Sequence, residues 1–228
     1  MSTIIDNLKK ITARVAAAAR RAGRRPEEVT LVAVSKTVPV ARLQEAVAAG
    51  QSHFGENYLQ EAQPKIAALG PEITWHFIGH LQSKKARGVV ELFHLIHSVD
   101  RVKLAQALEA AAARLGKTQD ILLQVRLADE ESKSGASPEE VPALLQEIHH
   151  LPHLRLRGLM TMPPWLPPEE VRPYFRRLRE LRDQLLAQGL LPPEATELSM
   201  GMTGDFEVAV EEGATLIRVG TGIFGERR

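Results

Sequence analysis

Eight short apolar stretches, each followed by a stretch with helical spacing, limit what this chain of 228 residues can become. The strand-like stretches are TLVAVSK (30–36), SHFGE (52–56), TWHFIG (74–79), FHLIHSV (93–99), DILLQVRL (120–127), LRLRGLM (154–160), ATELSM (195–200) and TLIRVG (215–220). Between them lie helical patterns such as VARLQEAVAAG and DRVKLAQALEAAAARLG, both ending in the glycine that suits a helix C-terminus. An unbroken β/α rhythm repeated eight times predicts a closed parallel (β/α)8 TIM barrel. An open doubly wound sheet is the other architecture such alternation allows. No Gly/Ser linker interrupts the rhythm, so residues 1–228 read as a single domain. The proline-rich MPPWLPPEEVRP is expected to be a long loop whose helix starts near Pro168. The opening segment, residues 1–26, reads as an extra amphipathic N-terminal helix, expected to cover the bottom of the barrel.

Charge and composition exclude several classes. Lys+Arg number 29 against 28 Asp+Glu, a net charge of +1, so no broad basic field exists for nucleic acid or an acidic membrane. The absence of cysteine rules out disulfides, thiolate catalysis and cysteine zinc sites, and suits a reducing cytoplasm. Lysines and arginines interrupt the N-terminus throughout, unlike a signal peptide. No apolar run reaches the roughly 18 residues of a membrane span.

In a barrel, active-site groups stand at the C-terminal ends of the strands. Lys36 is expected to end strand 1, Asn57 to follow strand 2 in GENY, Ser199 to end strand 7 and Arg218 to lie at the end of strand 8. Closure brings strand 8 beside strand 1, so these groups are expected to share one rim. Strand parity puts Val32, Val34 and Lys36 on one face. Desolvation and a nearby cation lower the pKa of a lysine, and a neutral amine attacks aldehydes. A lysine there also reads simply as a side chain whose head reaches solvent. Arg218, in apolar TLIRVG, needs acceptors from a ligand or from the protein.

The C-terminal RVGTGIFGERR contains Gly220, Gly222 and Gly225 in a G-x-G-x-x-G pattern. Only three residues follow Gly225, too few for the helix and acidic residue of a dinucleotide site. The smaller reading is a phosphate cradle in the loops after strands 7 and 8, with Ser199, the close backbone at Gly201 and a helix beginning near Thr203 supplying the other half. Two ordinary glycine turns are the alternative. His76 with His80, and His94 with His97, lack a metal-ligand pattern and read as packing or hydrogen-bonding residues. LQSKKAR and DEESKSG read as polar loops, and EEVRPYFRRLRELRDQLL as a solvated helix face.

The motifs LVAVSKT, HFGENYLQEAQPKI, WHFIGHLQSKK, SVD, ESKSG, RGLMTM and LSMGMTGDFEVAVEEGATLIRVGTGIFGER, in this order, resemble the pyridoxal 5′-phosphate (PLP) homeostasis proteins of the YggS/PROSC type. That family is similar in fold to the N-terminal barrel of alanine racemase, PLP fold type III. The resemblance implies that Lys36 holds PLP as a Schiff base. It implies that Ser199, the Met200–Gly201 backbone, Gly220 and Thr221 hold the phosphate, that Arg218 faces the pyridine nitrogen and that Asn57 lines the cofactor. It implies no metal. His80 and Lys84 depart from the family's usual proline and asparagine, which puts their loop in question rather than the cofactor contacts.

An arginine at the pyridine nitrogen leaves that nitrogen unprotonated and weakens the ring as an electron sink. Fold type III racemases share that arginine and add a tyrosine base from a second domain. Here the barrel uses the whole chain, and the two tyrosines are Tyr58 and Tyr174. The expectation is a cytoplasmic, monomeric PLP-binding protein that sequesters or delivers the cofactor, with apo PLP-dependent enzymes as acceptors and little or no turnover, hence no catalytic residue. A PLP-dependent amino-acid racemase is the alternative. A Schiff-base aldolase without PLP is a third possibility.

Overall fold

A computed structural model describes residues 3–128 and 134–226. After α1 (Ile4–Arg21) the chain runs β1 (Thr30–Val34), α2 (Val40–Ala48), β2 (His53–Glu56), α3 (Leu59–Leu69), β3 (Thr74–Phe77), α4 (Ala86–Leu92), β4 (Leu95–Val99) and α5 (Val102–Arg114). The second half runs β5 (Gln119–Gln124), α6 (Val141–His149), β6 (Leu154–Met160), α7 (Pro168–Ala187), β7 (Glu197–Ser199), α8 (Phe206–Glu211), β8 (Leu216–Val219) and α9 (Thr221–Phe224). The eight strands form a closed parallel barrel in sequential order. Pairing of Thr30–Ala33 with Leu216–Val219 makes the closure, which excludes an open sheet. All eight expected strands are present, most of them a residue or two shorter than the apolar runs suggest.

Two apolar layers follow from the strand period. Ala33, Phe54, Ile96, Ile121 and Leu159 point outward into the main core under the helices. Val32, Leu122, Met160 and Leu216 meet inside the barrel. The interior is therefore a packed plug at this level, not a channel.

The N-terminal helix does not cover the bottom. A capping box starts it: Thr3 Oγ1 accepts from the Asp6 N–H at 3.1 Å, and Asp6 Oδ2 accepts from the Thr3 N–H at 3.2 Å. Its apolar stripe of Ile4, Leu8, Ile11, Val15, Ala18 and Ala19 is buried, and the helix packs beside α8, α9 and α2 in the outer ring. The reason lies at the other end of the chain. The helix after β8, α9, has only 4 residues. It is too short to cover the strand it follows, and α1 fills that place. Arg14–Glu207 at 2.6 Å and Arg21–Glu211 at 2.7 Å join it to α8.

Candidate functional site

The loop after β1 begins earlier than the apolar run implies. β1 ends at Val34, and Lys36 lies in a turn closed by the Val38 N–H donating to the Ser35 carbonyl at 3.0 Å. Strand parity therefore stops short of Lys36, which is half-buried at the C-terminal mouth. Just past the end of β8, Gly220 sits against Val34, where an added Cβ would stand 3.4 Å from the valine Cβ. Arg218 is one inward position deeper, paired in register with Val32. It is the third residue of the four in β8 rather than its end.

Arg218 is 4% exposed. One Nη donates to Ser199 Oγ at 2.6 Å and the other to the Thr161 carbonyl at 2.9 Å. Both acceptors are neutral, and among the described residues no carboxylate stands within ion-pair distance of it. Burial pushes the guanidinium down to about 10, against the pull of Asp205. It stays charged at neutral pH. Burial in turn raises the Asp205 carboxyl, although the Met202 amide and Arg218 oppose the shift. A buried cation held only by neutral acceptors is costly unless an acceptor or anion completes its shell. Two bonds also use only part of a guanidinium's five N–H donors.

Behind Arg218 runs a polar file of one serine and three histidines. His97 Nδ1 contacts Ser199 Oγ at 2.8 Å, His76 Nδ1 contacts His97 Nε2 at 2.9 Å, and His53 Nδ1 contacts His76 Nε2 at 3.0 Å. Arginine has only donors, so Ser199 Oγ accepts from it. With the Ser199 hydroxyl donating to His97 Nδ1, His97 and His76 each donate an Nε2–H to the next ring, and all three rings are neutral. Burial, reinforced by neighbouring cationic forms, holds His76 at about 3 and His97 well below the usual range. The rings meet in series, with both nitrogens of His76 and of His97 spent on neighbouring groups, which is hydrogen bonding rather than convergence on a metal. Ser199 thus ends β7 as expected, but its hydroxyl is fully buried and engaged inward.

The loops after β7 and β8 are joined by Thr203. Its Oγ1 accepts from the Thr221 hydroxyl at 3.2 Å and from the Gly222 N–H at 3.3 Å. Gly220 caps α9, and Thr221 is exposed beside it. The Met200 N–H donates to the Leu216 carbonyl at 3.0 Å, and the Met200 side chain is buried in the outer core. Gly201 has φ +92, and an added Cβ would lie 2.5 Å from the Ala209 Cβ. Only glycine lets this loop fold back onto α8, which starts at Phe206 rather than near Thr203.

Asn57 directly follows β2, and its Oδ1 is buried with no protein partner. Buried acceptors left over in this way are uncommon in a folded protein, and Glu56 Oε2 and Gln119 Oε1 are two more. Its backbone lies tight against Gly79: a Cβ there would be 2.3 Å from the Asn57 carbonyl oxygen. Of the two departing positions, His80 is exposed and its Nδ1 contacts Ser134 Oγ at 3.1 Å, tying the β3 loop to the β5 loop. Lys84 is exposed. Residues 129–133 of DEESKSG lie outside the described residues. Lys36, Asn57, Arg218, Gly220 and Thr221 are thus brought to one end of the barrel. Thr161 and His97 stand behind Arg218, and Thr203, expected only as a helix start, joins the β7 and β8 loops.

A (β/α)8 barrel with these groups at its C-terminal mouth defines the class. The family model for the N-terminal domain of alanine racemase matches residues 7–228. The pyridoxal phosphate homeostasis protein of Pseudomonas aeruginosa is 48% identical, covering 100% of this chain and 97% of the relative. That of Aquifex aeolicus is 44% identical over 98% of each. The structure of PipY from Synechococcus elongatus, solved with PLP bound, superposes with a TM-score of 0.83 at 44% identity, covering 94% of this chain and all of PipY. Alanine racemase from Corynebacterium glutamicum shares the fold at 19% identity and a TM-score of 0.69, with 62% of its own length covered. The chain belongs to the pyridoxal phosphate homeostasis protein family, within the larger class of alanine racemase-type barrels.

Proposed function

We propose that this protein binds PLP as a Schiff base on Lys36 and serves cellular vitamin B6 homeostasis by sequestering or delivering the cofactor. The observation that carries the reading is Arg218, a buried guanidinium with only neutral protein partners, in register with Val32 of β1, the strand that leads to Lys36. PLP has its aldehyde and its ring nitrogen at opposite ends of one flat ring. A ligand of that kind offers the amine an electrophile and the arginine an acceptor. The orphan acceptor Asn57 Oδ1 would meet a donor from the same ligand. The phosphate would lie over Gly220 and Thr221, with the Met200–Gly201 loop, pinned by Thr203, as the opposite wall. Ser199 has a different part in this proposal: its hydroxyl fixes Arg218 from behind.

When bound, PLP would supply electrophilic aldehyde chemistry. The chain's own residues would hold and orient it with little or no turnover. An arginine keeps its protons, so it leaves the ring nitrogen an acceptor. Racemisation also needs a base on each face of the substrate carbon. Tyr174 packs on α7 in the outer ring, which leaves the exposed Tyr58 as the one tyrosine at the mouth. Cytoplasmic residence, a monomeric state and apo PLP-dependent enzymes as acceptors belong to the same proposal. No helix among the described residues is long and apolar enough to cross a membrane.

The test is a visible spectrum of the purified protein with PLP, before and after borohydride reduction, followed by peptide mapping. An imine absorbance that is trapped on Lys36 and lost in Lys36→Ala is expected. A label elsewhere, or no imine, overturns the reading. Wash-out of α-deuterium from L- or D-alanine at enzymatic rates would transfer the assignment to a racemase.

A further inference from the structure

Lys36 lies between two residues that are gripped from the same helix. The Ser35 carbonyl accepts from Lys65 Nζ at 2.7 Å. The Thr37 N–H donates to Glu61 Oε2 at 2.9 Å. Ser35 Oγ also donates to Glu56 Oε1 at 2.6 Å, and that oxygen receives Lys65 Nζ at 2.7 Å. Lys65 stands 3.8 Å from Glu61, closing the set. Glu56 is fully buried and Lys65 nearly so.

Such a set costs much to build. Buried charges are desolvated, and a pair of this kind is seldom a net source of stability. The cluster also holds a backbone that would not choose its shape. Thr37 has φ +63, the one positive φ at a non-glycine among the described residues. A β-branched side chain disfavours that region, and such a residue persists only where its surroundings over-determine it. The bond from Thr37 to Glu61 is such a constraint, placed one residue from Lys36.

We infer that Glu56, Glu61 and Lys65 are positioning residues for Lys36. Lys65 and Glu56 fix the peptide before it, and Glu61 fixes the peptide after it. Together they set the direction in which its Cα–Cβ bond leaves the turn. The sheet cannot do this, because β1 has already ended. The inference rests on Lys36 being the covalent anchor, and it names the residues that make the anchor's approach reproducible.

The test compares wild type with Glu61→Ala, Glu61→Gln and Thr37→Gly, all prepared free of cofactor. Glu61 is partly exposed, so its variants are expected to fold. Three readouts are taken: amide exchange at Thr37, the rate of reductive methylation of Lys36 relative to the other lysines, and the rate of PLP release after loading. In Glu61→Ala the Thr37 amide should exchange roughly tenfold faster and PLP should leave roughly tenfold faster, the effect of losing one charge-assisted bond. The relative methylation rate of Lys36 should change by about threefold or more. Glu61→Gln keeps an acceptor and should restore most of each effect. In the Thr37→Gly background, where the left-handed turn is free of strain, Glu61→Ala should have a smaller effect. Faster exchange with unchanged methylation and release would reduce the cluster to a structural role and overturn the inference. So would unchanged exchange. If wild type fails to retain PLP on Lys36, the cofactor assignment falls, while the exchange and methylation arms still decide whether the cluster orients the lysine.

Discussion

Arg218 donates to Ser199 Oγ at 2.6 Å inside the barrel, and the two residues stand on adjacent strands, β8 and β7. The serine is the only hinge between the guanidinium and three histidines in series. Ser199→Ala removes an acceptor from a buried cation and a partner from His97 together. A loss of about 1–3 kcal/mol is expected, the cost of leaving a buried polar group unmet. Urea denaturation of the cofactor-free protein measures it. Ser199→Thr should recover part of the loss, since the hydroxyl returns.

The histidine file makes an acid-sensitivity prediction. His76 and His97 are neutral in the folded state, with His76 depressed from 6.5 to about 3. The unfolded chain therefore binds more protons below pH 6.5, and folding stability falls as pH drops. Stability from this source is complete above 6.5 and is lost progressively toward 3. His76 contributes a slope of about 1.4 kcal/mol per pH unit in that window, and His97 acts in the same direction. His76→Gln should flatten the slope by about one proton. An unchanged slope would mean that the ring is already charged in the native protein.

Arg218→Ala should weaken PLP retention by roughly tenfold or more, as the loss of a charged hydrogen bond to the ring would. It also leaves Ser199 Oγ and the Thr161 carbonyl without their donor, so the melting temperature falls. Arg218→Lys should not rescue retention, because one ammonium cannot reproduce two divergent contacts. Equilibrium titration monitored by absorbance reports the affinity, and unchanged affinity in Arg218→Ala would remove the arginine from the site.

At Gly201 any side chain is both strained and crowded. Gly201→Ala should cost about 1–3 kcal/mol from overpacking against Ala209, with an added cost from φ +92. The displaced loop should also weaken phosphate binding, seen as a larger fall in affinity for PLP than for pyridoxal. Equal falls for both would dissociate this loop from the phosphate.

The barrel was legible because eight apolar runs and their helical spacers impose a period on the whole chain. Arg218 was legible too, as a charge in an apolar strand. The turn at Lys36 was not, because Ser35 is small enough to extend an apolar run on paper while the backbone has already turned. The histidine file was invisible for a different reason. His53, His76, His97 and Ser199 are scattered over 147 positions and meet only through the barrel. Nothing local in HFIGH or HLIH announces it, and those histidines do hydrogen-bond, but to partners that spacing could not name. The Glu56–Glu61–Lys65 set has no local signal, because Glu56 ends β2 and meets Lys65 of α3 only in the fold. The opening helix was misplaced because its true site depends on how short α9 is.

The placement of α1 also bears on how the molecule is assembled. Asn7 Nδ2 donates to the Ile223 carbonyl at 2.9 Å, a contact between residues 216 positions apart. Helix α1 is made long before α8 and α9 and must therefore wait, with its greasy stripe uncovered, for them to arrive. Sealing the seam between β8 and β1 is bound to come late, and sequence separations of that size slow a folding reaction. Until then the nascent chain presents a sticky flank, and chaperones have reason to hold it.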